Sequence, residues 1–380
     1  MSEENLEKIL NEVNVVFHAL ATIKFNESLH DAVAVNMLNT QKIVKICNRI
    51  KNLKSFVHVS TLFSNCNQKF ADETIYNHSI DYQQLITIAE LSRRTENEES
   101  AKLIFQHDFP NTYSLTKHFA EKLVVDQAGK IPTGIFRPPI VTSSYKNFPG
   151  WTDNINGFSG VVVSLVKGYS HCWLGYEENA SNIAPVDYCI NAIVAAAWDV
   201  SEKFKKSQEK REKFSIPIYN FMFDENNITY GNMMKLLTEG FSSPFEGTVY
   251  YYSNISTSWK FLFLILHFIF ATLPAFVLDT VVSIQGGKRK YLRISKKIEE
   301  FFLVLSHFTL TRFEFGNENL RTLLSKVQGM NGFREELNFD FKNIEWNVFF
   351  KNHQKGLKKY FFKENLDEER MKILRKNLQR

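Results

Sequence analysis

The chain has 380 residues, of which 44% are hydrophobic and 23% charged, enough apolar side chain for a packed core in one large domain or two modest ones. With 46 basic and 41 acidic residues the formal net charge is only +5, too balanced to point to nucleic acid as a partner. The four cysteines, Cys47, Cys66, Cys172 and Cys189, show no CxxC and no metal-ligand spacing, which excludes a disulfide scaffold and argues for reduced intracellular thiols and no metal site.

The opening MSEENLEKIL is acidic and amphipathic rather than a secretory signal, and residues 5–12 read as the end of a helix. VNVVFHALA (13–21) is a short apolar run with the length of a buried strand. Helical spacing of apolar residues follows over 29–50, then a second strand in KSFVHVST (54–61). Residues 64–108 are polar and read as a helical insertion. A helix beginning near Asn111 comes next, then a strand over TGIFRPPIV (133–141). VDYCINAIVAAAW (186–198) is a further helix with Asp187 placed to cap it, SQEKREK (207–213) a polar connector, and IPIYNFMF (216–223) a late strand. Strands alternating with helices predict an α/β fold with a doubly wound, mainly parallel sheet. After about residue 250 the alternation stops and the chain reads as helical.

The later part is also rich in phenylalanine, which suggests an apolar surface or greasy ligand as well as a Phe-rich core. Phe261–Leu273 is apolar except for His267 and Thr272, but as a helix it spans only about 20 Å, short of the ~30 Å of a bilayer core. Extending it to Leu278 reaches that length and takes in Pro274. Two readings stay open for 259–284: insertion into or a dip against a membrane, and a buried helix broken at the proline. Basic residues gather just beyond it in GGKRKYLRISKK (286–297), on a solvated helix face or a membrane surface.

The chemistry is concentrated in NTYSLTKHFAEKLV (111–124). Tyr113 and Lys117 are four apart, so a helix places both on one face. A phenol is a poor acid at neutral pH, and a neighbouring ammonium is expected to lower its pKa. Upstream, a strand ends in Ser60 and Thr61, either of which offers a hydroxyl to a substrate oxygen on which charge develops. The pair thus reads as a proton donor and its electrostatic partner beside a reducible carbonyl.

Taken in order, NVVFHALATIKFNESLHDAVAVN, FVHVSTLFSN, NTYSLTKHFAEKLV, IFRPPIV, PGWTDNINGFSG and NIAPVDYCINA resemble the alcohol-forming fatty acyl-CoA reductases, a branch of the extended short-chain dehydrogenases. LPAFVLDTVVSIQGGKRKYLRISKKI and FDFKNIEWNVFFKNHQKGLKKYFFKE resemble that family's C-terminal domain. The resemblance implies a Rossmann-like domain over 1–250, a helical C-terminal domain over 251–363 and a basic tail over 364–380. It implies NADPH as cofactor, a fatty acyl-CoA as substrate, and an intracellular membrane, peroxisomal or of the endoplasmic reticulum, as location. By motif, Tyr113 would protonate the forming alkoxide, Lys117 would hold the cofactor ribose, and Thr61 or Ser60 would bind the carbonyl oxygen. His18, Ala19 and Ala21 at a strand end, with Arg137 and Pro138, would lie beside the cofactor. His18 also reads as an ordinary core histidine, and Trp151, Asp153 and Asn154 as a shaped loop.

The chain departs from that family in one large respect. The glycine-rich turn that cradles a dinucleotide pyrophosphate is absent, because no glycine precedes Gly129. Weak cofactor binding and an uncovered sheet edge are the expected consequences. Leu20 stands where the family has a small residue, and Arg312 where it often has a tryptophan. The alternative expectation is a catalytically inactive acyl-binding or scaffold relative at a lipid membrane.

Overall fold

The structure is a computed structural model describing residues 2–105, 108–239, 244–249, 254–330 and 335–364. The tail expected over 364–380 therefore lies, past Glu364, outside the described residues. Two compact units are each assembled from separate stretches of chain: Met1–Pro139, Tyr188–Phe223 and Phe313–Asp340 form one, and Ile140–Asp187, Asp224–Arg312 and Phe341–Arg380 the other.

The first unit is built on four strands, β1 (Val15–His18), β2 (Ser55–Val59), β3 (Thr133–Arg137) and β4 (Ile218–Asn220), in the order β1-β2-β3-β4. Every pair is parallel, which requires crossover connections of the kind the intervening helices supply. β2 and β3 read as continuous apolar runs because they are interior strands; Phe56, Ile135 and Phe136 are essentially inaccessible. β1 borders the sheet, and its Val15 and Phe17 remain over 40% exposed. The helix over 29–47 passes through a π-helical turn at Ala34–Leu38. It packs with α1 (Thr112–Gln127) around Val44, Cys47, Phe56 and Val124. The insertion between β2 and β3 is helical as its sequence suggested, with helices at Tyr82–Arg94 and Glu98–Phe105.

Two expectations are corrected. The run 133–141 is not one strand: β3 stops at Arg137, where Pro138 and Pro139 carry no N–H for a ladder. Ile140–Thr142 forms a separate strand that pairs with Ile183–Pro185 in the second unit. Nor is 207–213 a connector, because the helix α2 (Val186–Lys210) runs through most of it. Its Asp199 accepts a 2.6 Å hydrogen bond from Tyr219 of β4 and so docks the helix to the sheet.

The second unit is mainly helical. α3 (Lys260–His267), a π-helical turn at Phe268–Thr272 and α4 (Leu273–Ile284) make one unbroken helical stretch. Pro274 lies inside this continuous stretch, directly after the π-helical turn, whose altered hydrogen-bond register accommodates a residue with no N–H. Its most apolar 18-residue window has a mean hydropathy of 2.5, and only 22% of that window is buried, so the stretch is not buried as a core helix would be. Phe261, Phe268, Phe276 and Ile284 all stand more than half exposed. α5 (Tyr291–Leu310) follows, and Asp279 of α4 accepts the N–H groups of Lys290, Tyr291 and Leu292, joining the two helices at the start of α5. The Asp187 carboxylate accepts N–H groups from Tyr145, Lys146 and Asn147, shaping that loop. α6 (Trp346–Gly356) ends against the turn at Gly150, with Gly356 facing the Gly150 carbonyl where no side chain fits.

Candidate active site

Asn111 starts α1 by accepting the Ser114 N–H at 2.8 Å, which fixes Tyr113 in the first turn and Lys117 one turn later. Both point back to the C-terminal end of β2. The Thr61 hydroxyl donates toward the Tyr113 phenol. Burial nevertheless dominates there and pushes the phenol up to about 12. The expected acidification by Lys117 is not what the geometry provides. The ammonium turns inward, 2% exposed, and donates to the Val59 carbonyl at 2.5 Å. Burial lowers Lys117 from 10.5 to about 8, against an opposing pull from Glu121.

The two candidate hydroxyls have different surroundings. Ser60 donates at 2.5 Å to Glu121, and Ser64 donates to the same oxygen at 2.9 Å. Thr61 sits beside the phenol and caps the short helix Leu62–Asn65. Thr61 is therefore the hydroxyl that accompanies Tyr113, and Ser60 belongs to the polar layer beneath.

Arg137 belongs to that layer too. It is inaccessible, and its Nε and Nη2 donate to Glu121 at 2.9 and 2.7 Å. The remaining donors reach Asn220, the Asp72 carbonyl and the Thr74 carbonyl. A guanidinium with every nitrogen engaged this way offers no side-chain donor to a cofactor and supports the strand end instead. Burial raises the Glu121 carboxyl, but attraction and hydrogen bonding from Arg137 outweigh it, and the group is held below its ordinary range. Pro138 is half-buried and gives its carbonyl to the Leu62 N–H, at the strand end beside Thr61.

At the end of β1, His18 is buried and shares a 2.9 Å hydrogen bond with Thr40. Burial, then Lys117, lowers its imidazole to about 4, so it is neutral at pH 7, as a core histidine is. Its ring lies 5.4 Å from His58, whose two nitrogens are buried without a partner. Ala19 is exposed and Ala21 half-buried, while Leu20 is 56% exposed and turns away from the interior.

One contributor went unread in the sequence. Asn36, 1% exposed and set in the π-helical turn, accepts the Thr22 N–H at 2.8 Å and donates to Thr116 at 2.9 Å. It ties the loop after β1 to the stretch of α1 between Tyr113 and Lys117. The available signal was a lone amide in the apolar run AVAVNML.

The family described as Male sterility protein matches in two parts, its NAD-binding part over residues 1–193 and its Sterile part over 270–364. The fatty acyl-CoA reductase wat of Drosophila melanogaster is 34% identical over 98% of this chain and 72% of its own length. The chain belongs to the fatty acyl-CoA reductase family. Fatty acyl-CoA reductase 1 of Rattus norvegicus is 31% identical over 96% of this chain and 70% of its own. Among solved structures, the terminal R domain from the myxalamid biosynthetic pathway superposes with a TM-score of 0.57 at 15% identity, over 95% of this chain and 72% of that one. The UDP-glucuronic acid 4-epimerase of Bacillus cereus, solved with NAD, gives 0.54 at 13%, over 95% of this chain and 78% of its own. These last two share the fold.

For this fatty acyl-CoA reductase family member the NAD-binding match makes the cofactor class a nicotinamide dinucleotide. The residues present fit its nicotinamide end: a phenol, an ammonium and a threonine hydroxyl meet beside the C-terminal end of β2. The phosphate end has no glycine-rich turn among the 380 residues.

Proposed function

We propose that this chain reduces a long-chain fatty acyl-CoA to the primary fatty alcohol through the aldehyde, with NADPH. The convergence of Tyr113 and Thr61 at the end of β2, with Lys117 directly behind, carries this reading. When bound, NADPH supplies the hydride for each of the two reductions, the first of which releases coenzyme A. Thr61 hydrogen-bonds the carbonyl oxygen as it gains negative charge. The phenol of Tyr113, protonated across the neutral range, donates its proton to the alkoxide. Lys117 stands directly behind the phenol on the Val59 carbonyl, and would hold the cofactor ribose by turning one of its remaining N–H donors toward it. The Glu121–Arg137 pair fixes Ser60 and the strand end from below. On this reading residues 1–250 carry the reaction and 251–363 meet an intracellular membrane, with the exposed apolar helices α3 and α4 toward it.

Incubating the purified chain with palmitoyl-CoA and NADPH tests the reading, with fatty alcohol as readout. Tyr113→Phe is expected to lower the rate at least a hundredfold. An unchanged rate removes Tyr113 from the reaction. The exposed apolar helix favours a second reading, an acyl-binding scaffold at a lipid membrane. Saturable palmitoyl-CoA binding with no NADPH binding distinguishes it.

A further inference from the structure

The α3–α4 stretch keeps a buried and an exposed face along its whole length. Phe263, His267, Ala271, Ala275 and Asp279 are buried, one at every fourth position. That row is held by α5. Phe302 meets the Phe263 ring edge-on with centroids 5.8 Å apart, Ser295 bonds His267 and Thr272, and Asp279 caps the start of α5. The opposite row, Phe261, Ile265, Phe268, Phe276 and Ile284, is exposed and apolar, and Trp259 stands at its head, 74% exposed. A row of roughly 35 Å, apolar outside and fixed to the protein inside, has the form of a helix that lies along a membrane. It could not cross a bilayer without its partner. α5 runs antiparallel beside it and exposes Arg293, Lys296, Lys297 and Glu300. Crossing would carry those charges into hydrocarbon, where each is costly.

Positive charge is gathered at one end of the row. Six basic and no acidic residues lie between Thr280 and Ile298, more than the net +5 of the whole chain. Three of them sit in an ordered turn. α4 ends at Gly286, whose φ of +78° lets the Gly287 N–H return to the Val282 carbonyl at 2.8 Å and the Gly286 N–H to the Ser283 carbonyl. At the far end of the triplet, Asp279 accepts the Lys290 N–H. Lys288, Arg289 and Lys290 are exposed between these two anchors. Arg289 donates back to the Ser283 hydroxyl at 3.1 Å, next to Ile284, the most exposed member of the row at 82%. An apolar strip ending in fixed cations complements the two layers of an anionic leaflet, acyl chains below and phosphates above.

We propose that this surface docks on a leaflet containing anionic phospholipid, with α3–α4 lying in the plane of the interface and Lys288, Arg289 and Lys290 on the lipid phosphates. The inference rests on the membrane side of the proposed function and adds two things to it, a helix that does not span and a requirement for negative charge.

The test is sedimentation of the full 380-residue chain with phosphatidylcholine vesicles, with and without phosphatidylserine. Partition onto the anionic vesicles is expected to be stronger, and each of Lys288→Ser, Arg289→Ser and Lys290→Ser should lower it about fivefold, toward the value for neutral vesicles. Salt at about 1 M, where the screening length is about 3 Å, should erase the preference. Ile284→Glu should weaken binding to both vesicle types, and a melting curve accompanies each variant. Depth is read separately. The four native cysteines are buried, so a fluorophore attaches selectively to Phe261→Cys, Phe276→Cys or Ile284→Cys. Brominated lipids should quench all three at the same shallow depth. Equal binding to both vesicle types, or partition unchanged in the three serine variants, overturns the proposal. So does a Phe276→Cys probe at the bilayer centre with the other two at opposite faces. These results leave the membrane reading standing, whereas failure to bind any vesicle removes both. Loss of palmitoyl-CoA binding in the serine variants with vesicle partition unchanged would assign the cations to coenzyme A phosphates and overturn the proposal as well.

Discussion

Replacing Lys117 by methionine should abolish reduction and yet stabilise the protein. The ammonium is 2% exposed, and burial lowers its pKa from 10.5 to about 8. That difference of two to three units corresponds to a folding penalty of about 3 kcal/mol while the group is charged in both states. Methionine has similar length and no charge. It also leaves the Val59 carbonyl without its side-chain donor, which costs about 1–2 kcal/mol. The net expectation at pH 7 is a gain of about 1–2 kcal/mol. The pH dependence fixes the sign. Below pH 8 the folded parent carries the full penalty, and between about 8 and 10.5 the folded state sheds its proton before the unfolded state does. The parent therefore recovers stability as pH rises through that window, and its gap to Lys117→Met closes. Urea unfolding of both proteins at several pH values measures it. A variant less stable than the parent at pH 7, or a gap that does not narrow toward pH 10.5, would refute the reasoning.

Further outcomes follow from the same site and from the second unit. Glu121→Gln breaks a pair whose members are 1% and 2% exposed, and should cost about 3–5 kcal/mol in urea unfolding at pH 7. Because the Glu121 carboxyl is held below its ordinary value of 4.5, the parent's advantage is complete above that pH and disappears as pH falls below it. The rate of alcohol formation should decline as pH rises through about 8, where Lys117 loses its proton, while Tyr113 stays protonated to about 12; a plateau extending past pH 10 would count against Lys117 as the group responsible. Gly356→Ala places a methyl group on the Gly150 carbonyl, and since backbone cannot give way as a side chain does, a loss of about 1–3 kcal/mol should appear in thermal unfolding.

Much of the first unit was legible because its signals are local. Strand runs and helical spacing mark β1, β2 and the helix over 29–47, and the Tyr113–Lys117 spacing needs only a helix begun by Asn111. What failed required knowing a partner distant in sequence. Arg137 looked available to a cofactor because nothing near it in the chain shows that Glu121, Asn220 and the Asp72 and Thr74 carbonyls surround it. Ser60 and Thr61 are adjacent hydroxyls, and only the position of Glu121 on α1 assigns them different tasks. Lys117 was expected to acidify Tyr113 through its place on the same face. The helix does bring them together, but the Val59 carbonyl takes the ammonium inward. In the apolar stretch 260–284, composition left membrane and core equally open, and only the fold shows that Phe261, Phe268 and Phe276 are exposed.

The border position of β1 carries a practical consequence. Among the described residues no strand lies on its outer side, and its half-exposed Val15 and Phe17 flank backbone groups free to pair with any extended peptide. Concentrated solutions of the chain should tend toward strand-to-strand self-association, and a lysine at position 17 is the least invasive way to suppress it.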